Sequence, residues 1–376
     1  MTQLDPASGA SSAPYRCSNC GRTQPLAFIG WKCPVCRGVL ALAEPAVFDP
    51  ARVAPGEPGV WRYRHTFPLP AEVEPVSLGE GGTPLVKVEL AGRTVFVKQE
   101  GQNPTGSFKD RGMALTLAGL KAAGVTAAIE DSSGNAGAAF AGYAARAGLQ
   151  ARVFVPAAAA GPKRRQIEAY GAEVVAVDGP RSQAAEAAQA AVAAGAVYAS
   201  HIYSPLGLAG TATCAFEIWE QLGRAPAAVI LPVGHGTLLL GLWRGFQALR
   251  AAGLIETLPR LVAVQALACA PLWAVYVHGR AGLDWATEGA TVAEGIRVIQ
   301  PVRGDAVLAA IRASGGAVLA VEDDAILSAR AALARCGLYT EPTGAAGWAA
   351  LTQNLERLEA DPLVVILTGH GLKSAA

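Results

Sequence analysis

Charge is scarce in this chain. Only 16% of its 376 residues are Asp, Glu, Lys or Arg, while 52% are hydrophobic. Such a composition excludes disorder over most of the length. The two signs also cancel, since 31 basic and 30 acidic side chains leave a net charge of +1. A balanced chain has no electrostatic footprint for nucleic acid or a membrane surface, so neither partner is expected. No apolar run reaches the roughly 20 residues of a transmembrane helix. The first residues lack the basic-then-apolar order of a signal peptide, and a soluble, cytoplasmic protein is expected. The length suits two or three domains and a large core.

Cysteine is sparse but clustered. Cys17-x-x-Cys20 and Cys33-x-x-Cys36 stand twelve residues apart, and the other three, Cys214, Cys269 and Cys336, are isolated in apolar or helix-like surroundings. Two such knuckles let four thiolates converge tetrahedrally on one structural Zn²⁺. Gly21 and Gly38 follow the knuckles and suit their tight turns. Disulfides, disfavoured by the expected compartment, and an iron site are the other readings. With four protein ligands the site is closed, and its role is structural. The isolated cysteines read as small buried thiols.

Residues 1–14 are small and polar and read as a mobile tail; residues 45–75, rich in proline and glycine, read as a connecting arm. From about residue 76 short β-like runs alternate with Ala-rich helical stretches. Strands are expected at 94–98, 127–130, 151–155, 173–177, 228–233, 261–265 and 363–367. Helices are expected at 109–123, 136–147, 163–170, 182–194, 209–222, 238–252 and 323–335. This alternation implies a mostly parallel sheet with helices on both faces. Ligands of such sheets bind in loops at the carboxyl ends of strands.

Four loops of that kind stand out. Asn103-Pro104-Thr105-Gly106-Ser107-Phe108-Lys109-Asp110-Arg111-Gly112 sets a lysine after a glycine-containing turn, where its amine can condense with an aldehyde. Asp131-Ser132-Ser133-Gly134-Asn135-Ala136-Gly137 joins a strand to a helix, and its hydroxyls and free amides suit a carboxylate. Val233-Gly234-His235-Gly236-Thr237-Leu238 follows a strand with amides that can close on a phosphate. It is not a dinucleotide fingerprint, because Leu239 occupies the third glycine position. Thr368-Gly369-His370-Gly371-Leu372-Lys373 follows the last apolar strand.

Together these loops, over roughly residues 76–376, resemble the fold-type II pyridoxal-phosphate (PLP) enzymes, and threonine synthases in particular. Many threonine synthase-like chains also carry an N-terminal zinc ribbon. The resemblance implies an α/β fold with two open, mostly parallel three-layer subdomains behind that ribbon. Residues 1–44 would be tail and ribbon, and 45–376 the catalytic domain, with a smaller mobile subdomain near 110–205. It assigns PLP to Phe108, Lys109, Asn135, the Gly234, His235, Gly236, Thr237 and Leu238 loop, and Thr368. His235 would contribute only its backbone. The substrate would meet Ser107, Ser132, Ser133, Asn135, His201 and Glu294, with Glu341-Pro342-Thr343 lying behind the ring. A homodimer acting on a small amino acid is implied.

The implied reaction converts O-phosphohomoserine and water to threonine and phosphate, with Lys109 moving protons at Cα and Cβ. One segment departs from the family. Threonine synthases grip the substrate phosphate with Asn-Ser-x-Asn-Pro-x-Arg, where this chain has His201, Ile202, Ser204, Pro205 and, at the arginine position, Gly207. The guanidinium contact is missing; His201 or another arginine, such as Arg297, are candidate replacements. The segment around Glu294 looks as much like threonine dehydratases. Open alternatives are therefore β-elimination or β-replacement on threonine, serine or an O-activated serine, a related biosynthetic specialist, and a binding module that has lost catalysis.

Overall fold

The computed structural model describes residues 13–159, 161–179, 181–358 and 361–374. Most of the expected tail lies outside them. The chain divides into two compact units. One runs to Gly81 and resumes over Lys109–Thr211; the other holds Gly82–Phe108 and continues from Ala212.

In the first unit a parallel sheet runs in the order Ala127–Glu130, Gln150–Pro156, Glu173–Val177. A lone parallel bridge from Ile129 to Tyr198 extends its first edge. Helices Lys109–Ala122, Asn135–Ala147, Pro162–Ala169 and Arg181–Ala193 accompany the strands, as the Ala-rich periodicity requires. The cysteine module forms an antiparallel sheet in the order Thr23–Gln24, Tyr15–Cys17, Leu40–Leu42. Residues 45–81 are more than an arm. They turn through two 3₁₀ segments, Pro50–Arg52 and Gly59–Thr66, and bury Trp61 and Tyr63 almost completely.

The second unit has a six-stranded mixed sheet in the order Ala317–Val321, Arg260–Ala266, Ala228–Pro232, Leu363–Leu367, Arg93–Gln99, Leu85–Leu90. All neighbours are parallel except the last pair, a hairpin closed by Ala91 and Gly92. Both turn residues have positive φ, +48° and +76°, as a two-residue turn matched to strand twist demands. The central strands Ala228–Pro232 and Leu363–Leu367 are buried at every position and read as continuous apolar runs. Helix Pro342–Gln353 packs on this sheet, with Trp348 in the core.

Beneath the sheet a charged group is fully buried. Lys98 donates to Glu217 at 2.7 Å, to the Thr83 carbonyl at 2.7 Å and to Gln221 at 2.9 Å. The second oxygen of Glu217 accepts the Gly82 amide at 2.8 Å. All three donors of the ammonium are used, the condition under which such burial is tolerated.

Candidate active site

In the first unit, Lys109 opens helix Lys109–Ala122 and is half-buried. The strand Ala127–Glu130 delivers the next loop, and helix Asn135–Ala147 starts from it with Gly134 as its cap. The loop turns tightly because Ser132 Oγ accepts the Gly134 amide at 3.2 Å. A Cβ at Gly137 would stand 1.8 Å from the Ser132 carbonyl, so only glycine fits there. Ser132 and Ser133 thus lead into the Gly134 cap, and Asn135 opens a 13-residue helix whose N-terminus favours an anion.

Under this loop lies an acidic pair. Glu130 is fully buried and Asp131 nearly so. Glu130 makes a short hydrogen bond to Nδ1 of His201 and accepts the Ser132 amide. Burial pushes the Glu130 carboxyl up, against the pull of the Ser132 and His201 amides. Asp131 is raised by burial and by the neighbouring Glu130 charge, and it accepts from Tyr198. His201 is held well below 6.5, first by burial and then by the charge of Lys109.

In the second unit, strand Ala228–Pro232 leads into Gly234 and Gly236. A Cβ on Gly234 would meet Val298 at 3.1 Å, and one on Gly236, where φ is +87°, would collide with Val307 at 2.1 Å. Both glycines therefore stay without a Cβ as the turn leads into the N-terminus of the 15-residue helix Thr237–Ala251. His235 turns its ring away, accepting the Val302 amide at 3.4 Å. The loop after strand Leu363–Leu367 is stitched to its neighbours. Phe108 donates its amide to the Thr368 carbonyl at 3.1 Å, and Thr340 Oγ1 donates to the Gly369 carbonyl at 2.8 Å. Lys373 is buried and donates to the Thr105 carbonyl at 2.5 Å, under the turn that precedes Lys109 in sequence. Two hydroxyls stand out: Thr368 Oγ1 and Ser107 Oγ are buried and lack a hydrogen-bond partner among the described residues. Buried orphan hydroxyls are costly, and a polar ring at this loop would satisfy them.

The four knuckle sulfurs converge. Cys17 and Cys36 are 3.4 Å apart, and Cys20 and Cys33 are 3.6 Å apart. These separations are too long for disulfides and close to the ~3.8 Å edge of a tetrahedron with 2.3 Å Zn–S bonds. The left-handed residue of the second knuckle is Arg37, at φ +62°, and not Gly38. Gly38 is needed for a different reason, since a Cβ there would stand 2.7 Å from Cys17 Sγ.

Residues 76–369 match the model of the pyridoxal-phosphate dependent enzymes. The chain belongs to that family. The threonine synthase of Methanocaldococcus jannaschii is 35% identical over 378 residues, covering 95% of this chain and 92% of that protein. The threonine synthase of Synechocystis sp. is 38% identical over 320 residues, covering 83% and 82%. Among solved structures, a threonine deaminase from T.th. aligns with a TM-score of 0.65 at 28% identity, covering 77% of this chain and 92% of that one. The protein is a PLP-dependent lyase resembling threonine synthase, with the fold-type II α/β architecture. No helix among the described residues is long and apolar enough to cross a membrane.

The first unit brings Lys109 within electrostatic range of His201. In the second, Ser107 bridges to Gly369, next to Thr368. Glu294 is exposed in the short turn Glu294–Ile296, and the neighbouring Gly295 amide donates to Thr343 at 3.1 Å. Arg297 is exposed and engages Glu288, with 3.1 Å to its carbonyl. Sequence reasoning missed Glu130, Asp131 and Lys373. The signal for the first two was an acidic pair ending an otherwise apolar buried strand.

Proposed function

We propose that the enzyme converts O-phosphohomoserine and water to L-threonine and phosphate. The observation that carries this reading is the extent of the likeness: threonine synthase relatives align over 95% of the chain and over 91–92% of their own length.

The residues present fit PLP. In the first unit Lys109 would carry its aldehyde carbon and Asn135 would meet its ring hydroxyl. In the second, the amides of Gly234–Leu238 would hold its phosphate, Phe108 would lie against it, and the orphan hydroxyl of Thr368 would meet its ring nitrogen. When bound, PLP withdraws electrons from the substrate and acidifies its Cα–H bond. Lys109 takes that proton and returns protons at Cα and Cβ, which requires an amine pKa lowered towards neutrality. Thr368, a neutral hydroxyl, would not hold a proton on a ring nitrogen as a carboxylate would, and this would suit elimination and replacement better than transamination. Ser132 and Ser133, at the start of a helix, hold the substrate carboxylate. Ser107 and Glu294 complete the substrate contacts.

A second reading, elimination or replacement on threonine, serine or an O-activated serine, is favoured by one observation. The His201 side chain is buried and held well below 6.5 by that burial, and Gly207 stands where a phosphate-gripping arginine would be. We further infer that Cys17, Cys20, Cys33 and Cys36 hold one structural Zn²⁺, supported by the sulfur separations. The family likeness also implies a cytoplasmic homodimer.

The test is a substrate panel on the purified holoenzyme, with phosphate, threonine, ammonia and oxoacid followed separately. Threonine and phosphate from O-phosphohomoserine support the lead reading. Ammonia and 2-oxobutyrate from threonine, with no phosphate release, would replace it with the second.

A further inference from the structure

His201 occupies a position where the family places a substrate-gripping side chain, yet its surroundings are those of a proton carrier. Its side chain is only 7% exposed. Glu130, at the end of strand Ala127–Glu130, holds Nδ1 in a short hydrogen bond and also accepts the His201 backbone amide at 3.4 Å. The other carboxylate oxygen accepts the Ser132 amide at 2.5 Å. Burial raises this carboxyl, while its two backbone donors and the charges of Arg181 and Lys109 pull it towards the ionised form in which it accepts from Nδ1. An ionised carboxylate on Nδ1 makes that nitrogen the protonated one and leaves a lone pair on Nε2. Lys109 acts electrostatically on both residues. The other charged or titratable groups facing the pair are Asp131, Tyr198 and Arg181. An imidazole kept neutral by burial cannot replace a guanidinium against a dianion. It can exchange a proton with an oxygen.

We propose that His201 and Glu130 form a proton-transfer pair beside Lys109, in which His201 Nε2 serves the oxygen that joins or leaves the substrate side chain and Glu130 is its positioning residue. This rests on Lys109 being the cofactor lysine. As water adds, one O–H bond breaks and its proton moves to Nε2, while the water oxygen bonds to Cβ. The displaced electron pair is taken up at Cα with a proton from Lys109, and the proton on Nε2 replaces the one Lys109 gave. Run backwards, the same transfers deliver a proton to a departing hydroxyl. The pair thus serves synthase and dehydratase chemistry alike.

Measurements on the cofactor-free protein and on the holoenzyme test it. In ¹⁵N-labelled cofactor-free protein, the His201 imidazole, assigned by its loss in His201→Gln, should show a protonated Nδ1 and an unprotonated Nε2. Glu130→Gln should invert that tautomer, because an amide can donate to Nδ1. In the holoenzyme, both variants should keep the cofactor absorbance. They should also keep Cα hydrogen–deuterium exchange on L-2-aminobutyrate, which needs only Lys109. Their kcat on whichever of O-phosphohomoserine or threonine is turned over should fall about 10²–10³-fold, with KM little changed. The limb of the pH profile set by His201 should vanish in His201→Gln. A protonated Nε2 in the wild type, or variants with wild-type kcat and pH profile, overturns the proposal. Failure of the cofactor-lysine reading would show separately, as absorbance that survives Lys109→Ala.

Discussion

Trp31, two residues before Cys33, stands edge-on to Tyr203 with ring centroids 4.7 Å apart, and edge-on to Tyr198 at 5.3 Å. His201 lies between those tyrosines in sequence, so the cysteine module braces the segment that carries it. Each aromatic pair contributes about 0.5–1.5 kcal/mol beyond burial. Trp31→Ala should therefore lower stability by roughly 1–3 kcal/mol and reduce kcat, while Trp31→Phe recovers most of both. Chemical denaturation and steady-state kinetics on the two variants check this. An unchanged kcat in Trp31→Ala would separate the module from catalysis.

The same brace depends on the knuckles. Purified protein should contain one zinc per chain, and Cys36→Ser should bind it more weakly. Metal analysis gives the stoichiometry, and Trp31 fluorescence should change as a chelator strips the metal. Iron in place of zinc, or no metal at all, would contradict the assignment.

Lys98 and Glu217 provide a test of the second unit. Removing one member of a buried ion pair typically costs about 3–5 kcal/mol, because the other charge is left uncompensated. Lys98→Met should show a loss of that order in urea titrations. Adding Glu217→Leu should recover at least half of it. A double variant no more stable than the single one would mean that the pair is not the source of the loss.

Glu80 sets a pH-dependent term. Its carboxylate accepts from Tyr143 at 2.8 Å and from Ser77 at 3.0 Å, yet burial raises its pKa above 4.5. The native state therefore binds this proton more tightly than the unfolded chain does. The resulting stability is fully present below 4.5 and is lost as pH rises through the raised native value. The slope is at most about 1.4 kcal/mol per pH unit. Glu80→Gln, which keeps an acceptor for Tyr143, should flatten that part of the curve. Urea titrations from pH 4.5 upwards decide it; parallel curves for the two proteins would contradict the assignment.

The parts of the fold legible in sequence are those where one strong local signal dominates. The apolar strands ending in Gly234 and Thr368, and the helices after Lys109 and Gly134, fall within a residue or two of expectation. Strand Leu85–Leu90 was missed because Lys87 and Glu89 break its apolar run, as suits the edge strand it forms. Helix Pro342–Gln353 was not expected; Gly344 and Gly347 lower its intrinsic helix propensity. Gly344 is there for space, since a Cβ would stand 2.2 Å from Thr340 Oγ1. Helix Pro205–Leu222 starts four residues before the expected position, with Pro205 at its first residue, where a missing N–H costs nothing. The Glu130–His201 contact joins residues 71 apart, and no local pattern announces it.

Borohydride reduction of the holoenzyme, followed by peptide mass spectrometry, tests the cofactor assignment most directly. The predicted result is a single cofactor adduct on the peptide containing Lys109, with Lys109→Ala colourless and inactive. An adduct on another lysine, or colour and turnover that survive Lys109→Ala, would contradict it.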